Sequence, residues 1–276
     1  MSHFVIPNHT VVGINVLGEA APLLKKMGNK AFIVTGRHVA VSDMMKQLTA
    51  LLDENGIDCV IFDGITGEPT DTMIENGVEM LKSSGCDFII GIGGGSPLDS
   101  AKAIAAMAVN EGSIADYNGK EITGEILSLA AIPTTAGTGS EATKFTVITD
   151  SEKGIKMLLK GDVLVPKLAI VDSSFTVGAP KSVTSATGLD ALTHAVEAYT
   201  SRKAFSMTDT LAVSAVKRIM KYLPIAYKEP DNSLAREQMS IAALEAGICI
   251  NNSSVTIVHG MSRPIGALFH VPHGMS

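Results

Sequence analysis

Short apolar runs alternate with helical patterns through the N-terminal part of the chain, and this alternation restricts the fold more than any other feature of the sequence. Apolar runs that predict buried strands lie at 31–35, 59–62, 88–92, 127–132, 145–149 and 168–171. Helical patterns lie between them at 42–54, 71–83 and 101–109. Strands that are apolar along their whole length need cover on both faces, so the pattern predicts a parallel sheet between two layers of helices.

The sequence changes character near residue 178. Helical patterns cover 180–200, 208–222 and 234–250, and strand patterns nearly vanish. We therefore predict an α/β domain over residues 1–178, followed by a helical domain over residues 179–276. In enzymes built on this plan, the active site commonly lies in the cleft between the domains.

Composition limits the class of protein. Of 276 residues, 46% are hydrophobic and 18% are charged, which is typical of a folded chain with a substantial core. The net charge of −6 and the absence of a Lys/Arg-rich run give no reason to expect nucleic acid as a partner. The three cysteines include no Cys-x-x-Cys pair, and the N-terminus carries no secretory signal, which predicts a cytoplasmic protein. No apolar stretch approaches ~18 residues, so we do not expect the chain to enter a membrane.

A glycine-rich turn follows the third apolar run, in GIGGGSPLDSAKA at 91–103. Ser96 is predicted to be the N-cap of the next helix, with Pro97 in its first turn and Asp99 completing a capping box. The bare backbone at 93–95 would let amides at the helix N-terminus meet a phosphate. A tight turn without a ligand is the alternative interpretation.

A second polar segment, IPTTAGTGSEAT at 132–143, follows another apolar run. Its hydroxyls and glycines suit the wall of a cofactor site better than a core. Because it begins where a strand ends, we expect it at the carboxyl edge of the sheet, where open α/β sheets bind ligands. A solvated loop is the alternative.

Four residues predict a metal site: Asp190 and His194, four apart in a helical pattern, with His259 and His273 further along. One carboxylate and three imidazoles suit Fe(II), Zn(II) or a similar divalent ion. The alternative is an ordinary pair on one helix face and two scattered histidines. In one straight helix, His259 and His273 would lie roughly 21 Å apart. The chain must therefore turn between them, and we expect His259 near a helix end and His273 on a later turn or helix start.

Four segments in this order, GGGSPLDSAKA, PTTAGTGSEAT, GLDALTHAVEAY and HGMSRPIGALFHVPHG, closely resemble the iron-containing (group III) alcohol dehydrogenase family. The resemblance runs from about Phe4 to the last residue. It implies a Rossmann-like dinucleotide-binding domain followed by an all-helical metal-binding domain. The implied activity is hydride transfer between a small alcohol and its aldehyde or ketone, with NAD or NADP as cofactor and usually Fe(2+), with Zn(2+) possible.

The resemblance also implies roles for individual residues. Metal ligation falls to Asp190, His194, His259 and His273. The cofactor pyrophosphate would meet Gly94, Gly95 and Ser96. The remaining cofactor contacts would come from Thr134, Thr135, Thr138, Thr143 and Lys156, the last of these near the ribose. A homodimer or higher homo-oligomer is implied as well.

The chain departs from the family pattern at three places. Gly36 stands where many members carry an acid that binds the ribose 2′-hydroxyl, and Arg37 follows it, so we expect NADP to be tolerated or preferred. Arg263 replaces a histidine that some members use in proton transfer. His270 is the candidate to take over that role, and a path through ribose hydroxyls and water is the alternative. Family members continue for several helices past the position of Ser276, so we expect an incomplete helical domain.

Two other interpretations stay open from the sequence. A zinc-dependent enzyme similar to glycerol dehydrogenase or dehydroquinate synthase shares the broad fold, although PTTAGTGSE argues against it. An inactive structural fragment is the non-enzymatic alternative. The substrate itself is not identified, but an aromatic content of 4% favours an aliphatic pocket for short alcohols, diols or hydroxy acids.

Overall fold

The structure, a computed structural model, describes residues 3–269 and 273–275. Its strands are β1 (His9–Gly13), β2 (Lys30–Val34), β3 (Asp58–Phe62), β4 (Phe88–Gly93), β5 (Ser128–Pro133), β6 (Phe145–Asp150), β7 (Ile155–Lys160) and β8 (Leu168–Asp172). Its helices are α1 (Ala21–Met27), α2 (Arg37–Ala40), α3 (Asp43–Glu54), α4 (Asp71–Ser84), α5 (Gly95–Met107), α6 (Lys181–Thr200), α7 (Ser206–Lys228), α8 (Ser233–Asn252) and α9 (Ile257–Phe269).

Six strands form one parallel sheet in the order β1-β8-β5-β4-β2-β3. Side chains of β2 alternate between two cores, as the period of a strand requires. Phe32 and Val34 pack with residues of α4 and α5, whereas Ala31 and Ile33 pack with residues of α1 and α3. Helices therefore cover both faces, and the predicted parallel α/β class is confirmed.

One predicted strand is not part of this sheet. The run at 145–149 became β6, which pairs antiparallel with β7 in a separate two-stranded sheet. Ile148, Met157 and Leu159 turn one face of this hairpin into the core beside Ile104 of α5. Neither β7 nor β1 was predicted, because each is apolar only at some positions and partly exposed along its length.

Small residues bring the C-terminal helices close together. Alanines of α6, α7 and α8 form the centre of their shared core. A Cβ at Gly188 of α6 would come within 2.4 Å of the Leu223 side chain, so a larger residue there would require Leu223 of α7 to move. Helices dominate after residue 181 as expected, while the exact boundary between residues 178 and 179 stays a prediction.

Two glycines allow the polar segment that follows β5 to contact helix α8 closely. Gly139, with φ at +61°, lies in the polar segment that follows β5. A Cβ on Gly247 of α8 would stand 2.7 Å from the carbonyl oxygen of Gly139. The absence of a side chain at both positions therefore lets this loop lie directly on α8.

Within the described residues, no single helix combines the length and apolar composition needed to cross a membrane. In the part of the chain that the structure describes, one bent pair of helices reaches that composition: α8 with the first part of α9, which are bent by 89°.

Candidate active site

The two predicted metal-binding residues of α6 meet one of α9 in a buried cluster. Asp190, His194 and His259, here called the acid–histidine cluster, offer ligand atoms that all lie within 4.8 Å of one another. Asp190 Oδ1 is 3.7 Å from Nε2 of His194 and 3.5 Å from Nε2 of His259. The two imidazole rings stack with centroids 4.5 Å apart. A buried carboxylate with two converging imidazoles fits a divalent ion such as Fe(II) or Zn(II).

Helix geometry explains how the sequence brings these groups together. Asp190 and His194 are four apart in α6 and so share one face. The sharp bend between α8 and α9 places His259, the third residue of α9, opposite that face. His259 therefore lies near a helix end, as predicted.

The segment of the fourth predicted ligand returns to α6. His273 begins a 3₁₀ turn at His273–Met275, which matches the expected later turn. A Cβ on Gly274 would approach the Ala186 carbonyl oxygen of α6 to 2.4 Å, so the backbone of this turn lies directly against that helix. The side chain of His273 lies outside the described residues.

Glu197 is a functional candidate that the sequence reasoning missed. Its Oε2 lies 2.6 Å from Nδ1 of His259. Its Oε1 accepts hydrogen bonds from the Thr256 hydroxyl and the Val258 amide, each at 2.7 Å. The available signal was its position three residues after His194, on the same face of α6.

Burial and the surrounding polar groups shift the pKa values of Glu197 and His259 in opposite directions. Removal from water would raise the pKa of Glu197, but hydrogen bonds from Thr256, His259 and Val258 outweigh that effect and lower it. Burial would likewise lower the pKa of His259, but Asp190 and Glu197 raise it. Both carboxylates thus favour charge on the His259 ring.

The glycine turn and the polar segment after β5 leave adjacent strands. Gly93 pairs with Pro133 at the ends of β4 and β5, and the amide of Thr134 donates to the Gly93 carbonyl at 2.8 Å. Gly93 has φ at +148°, where glycine is favoured. A Cβ on Gly95 would meet Cγ2 of Thr138 at 2.8 Å. We call residues 93–96 the glycine turn and residues 134–143 the threonine loop.

The predicted cap of α5 was wrong. Helix α5 begins at Gly95, and its N-cap is Gly94, which has no side chain to accept a hydrogen bond. Ser96 therefore lies inside the first turn. Asp99 accepts instead from the Ser140 hydroxyl at 2.6 Å and the Val147 amide at 2.8 Å, tying α5 to the threonine loop and to β6.

A buried lysine stands behind the threonine loop. Lys102 of α5 donates to the Thr143 hydroxyl at 3.0 Å and to the Phe145 carbonyl at 2.8 Å. Burial lowers its pKa to about 8, against the opposing charges of Asp99 and Glu141. Burial also raises the pKa of Glu141 to about 7. Lys102 therefore holds the threonine loop from inside the protein, and its role was not predicted from the sequence.

A cavity of about 290 Å³ joins the glycine turn and threonine loop to the acid–histidine cluster. Its wall includes these predicted residues: Gly95, Ser96, Thr138, Thr143, Lys156, Asp190, His194 and His259. The Lys156 ammonium pairs with Glu68 at 3.0 Å, and Glu68 also lines the cavity. Gly94 lies close to Thr135, which lines a separate small pocket together with Thr184 and Arg236.

Comparison with known proteins decides the family. The family described as "Iron-containing alcohol dehydrogenase" matches residues 7–173. The companion family, "Fe-containing alcohol dehydrogenase family, C-terminal", matches residues 184–276. The chain belongs to the iron-containing alcohol dehydrogenase family.

Relatives within the family cover nearly the whole chain. The NAD-dependent methanol dehydrogenase of Bacillus methanolicus is 39% identical, over 100% of this chain and 73% of its own length. A solved 1,3-propanediol oxidoreductase superposes with a TM-score of 0.97 at 36% identity, covering 99% of this chain and 72% of that one. The sulfoacetaldehyde reductase of Bifidobacterium kashiwanohense, solved with NAD+, has a TM-score of 0.94 at 33% identity, covering 99% and 73%.

The family assignment confirms the recognition, the fold class and the enzyme class predicted from the four motifs. An iron-containing alcohol dehydrogenase is an NAD-linked oxidoreductase that interconverts alcohols and aldehydes, and this chain is one. The family also implies a metal, for which the acid–histidine cluster has suitable donors.

The remaining predicted residues lie elsewhere. Gly36 follows β2 at the carboxyl edge of the sheet and forms an isolated bridge with Gly64. Arg37 is exposed at the start of α2. His270 and the side chain of Arg263 lie outside the described residues, so the proton-transfer prediction stays a prediction.

Proposed function

We propose that Asp190, His194 and His259, together with His273, hold one divalent metal ion at which a small alcohol is oxidised or its aldehyde or ketone reduced. The observation that carries this proposal is the single cavity shared by the acid–histidine cluster and the glycine turn. When bound by these residues, a divalent ion would supply Lewis acidity, which favours the alkoxide or polarises the carbonyl. The residues around the cavity contribute position and electrostatics for hydride transfer.

The cofactor is proposed to lie along the sheet edge. Backbone amides of Gly94, Gly95 and Ser96 at the start of α5 suit the pyrophosphate, because a helix N-terminus favours negative charge. The hydroxyls of Thr134, Thr135, Thr138 and Thr143 are proposed to line the rest of the cofactor. The Lys156 ammonium, held near the cavity by Glu68, is proposed to reach the ribose.

We propose that NADP is tolerated or preferred over NAD as the cofactor. Gly36 offers no carboxylate to accept a ribose 2′-hydroxyl or repel a 2′-phosphate, and the exposed Arg37 beside it offers positive charge. Arg37→Met is expected to raise KM for NADPH and leave KM for NADH near its wild-type value. Arg202→Met, at another exposed arginine, is the matched control.

We propose Fe(II) as the resident ion, with Zn(II) as the alternative that the same donors accept. Proton transfer is assigned to His270 on its place in the sequence, three residues before His273. The partner class is a short aliphatic alcohol or aldehyde.

A homodimer or higher assembly is proposed on the family resemblance, and light scattering coupled to gel filtration tests it. A cytoplasmic location is proposed on the three free cysteines.

The test is reduction of a panel of short aldehydes, followed through NADPH or NADH absorbance, by protein reconstituted anaerobically with Fe(II). We expect metal-dependent cofactor oxidation that is faster with NADPH, and none in a variant carrying Asp190→Ala and His194→Ala. Equal rates in that variant would contradict the site. A consistent preference for NADH would contradict only the cofactor assignment.

A further inference from the structure

The two carboxylate oxygens of Glu197 contact different groups. Oε1 receives the Thr256 hydroxyl and the Val258 amide, which belong to the entry into α9. Oε2 lies 2.6 Å from Nδ1 of His259. The side chain of Glu197 is 4% exposed, so water competes little with these bonds.

This arrangement selects one form of the His259 ring. An ionised carboxylate is only an acceptor, so the proton between Glu197 and His259 belongs on Nδ1. In the neutral ring Nε2 then carries the lone pair, and this atom is the one that faces Asp190, at 3.5 Å. A carboxylate on the far ring nitrogen also makes a histidine a more basic ligand.

We propose that Glu197 is a positioning residue for the metal site, setting the tautomer and orientation of His259 from the same helix that carries Asp190 and His194. The inference rests on the proposed metal-binding function. The same carboxylate joins α6 to the first turn of α9. One side chain therefore fixes His259 of α9 relative to Asp190 and His194 of α6.

Metal affinity tests this role without relying on turnover. The probe is Zn²⁺ alone, titrated against a chromophoric chelator into metal-free protein. Loss of such a partner typically weakens metal binding by about 10- to 100-fold, and we expect Glu197→Gln to fall in that range. Glu245→Gln is the matched control, because it removes a partly buried carboxylate of α8 that bonds Ser214 and pairs with Arg218 instead. It should bind Zn²⁺ as the wild type does.

Thr256→Val separates ligand positioning from helix capping. It removes a hydrogen bond to Oε1 and leaves the contact between Oε2 and His259 in place. We expect a lower Tm with a Zn²⁺ Kd near the wild-type value. If Thr256→Val and Glu197→Gln weaken Zn²⁺ binding equally, Glu197 is a helix cap and the proposal is wrong.

Histidine ring NMR of the zinc-loaded wild type tests the predicted tautomer of His259 directly. We expect a slowly exchanging, downfield Nδ1 proton on His259, assigned through its loss in His259→Ala. A His259 ring protonated on Nε2 would overturn the proposal. Failure of the wild type to bind Zn²⁺ would contradict the proposed metal site, whereas tight binding that Glu197→Gln leaves unchanged would contradict only the role of Glu197.

Discussion

Replacing Glu141 by Gln should change how stability depends on pH. Glu141 lies in the threonine loop, is 2% exposed, and burial raises its pKa from 4.5 to about 7. Below about pH 4.5 the carboxyl is protonated in both the folded and the unfolded chain. Between that pH and about pH 7 the folded chain holds its proton more tightly, so the free energy of unfolding falls as the pH rises.

The size of the effect follows from the shift. The folded and unfolded pKa values of Glu141 differ by about 2.5, and each pKa unit is worth about 1.4 kcal/mol. The free energy of unfolding therefore falls by roughly 3 kcal/mol across this interval. Glutamine cannot ionise and does not suffer this loss. The advantage of Glu141→Gln over the wild type should therefore grow by that amount as the pH rises. Lys102, whose pKa is lowered to about 8, titrates mainly above the interval.

Urea unfolding measured at several pH values across the interval provides the assay. Glu152→Gln, at an exposed carboxylate, controls for the loss of one negative charge. The expected result is a widening gap between Glu141→Gln and both the wild type and this control. Parallel curves for all three proteins would refute the argument that burial of Glu141 governs its ionisation.

Two glycine substitutions test close approaches in the site. Gly95→Ala places a Cβ 2.8 Å from Thr138, whereas the Cβ of Gly94→Ala has its nearest atom at 3.6 Å. KM for the cofactor should therefore rise more in Gly95→Ala than in Gly94→Ala. Equal KM values in the two variants would contradict this packing. Gly247→Ala directs a methyl group at the backbone of Gly139, and thermal unfolding should show a loss of about 1–3 kcal/mol. An unchanged Tm would mean that the threonine loop does not lie on α8 as described.

Periodicity predicted the elements whose burial is uniform. The continuous apolar runs became β2, β4, β5 and β8 with bounds that differ by a residue or two. The partly exposed strands β1 and β7 have too few apolar residues to stand out from loops. The direction in which β6 pairs is set by its hairpin with β7, and an apolar run carries no information about that choice.

The candidate site was predictable where chemistry and spacing coincide. Asp190 and His194 share a helix face by their spacing, and their residue types suggest a metal. Lys102 gave no such signal, because lysine is almost never fully buried and its partners lie about forty residues away in sequence. The cap assigned to Ser96 failed because a glycine turn can start a helix without any side-chain cap.

Titration of metal-free protein with Fe(II) under anaerobic conditions, with aldehyde-dependent oxidation of NADPH measured at each addition, tests the proposed metal site most directly. We predict that the rate rises in proportion to added Fe(II), stops rising at one equivalent per chain, and stays at background throughout for Asp190→Ala. Full activity before any metal is added, or an Asp190→Ala variant that follows the wild-type curve, would contradict hydride transfer at the acid–histidine cluster.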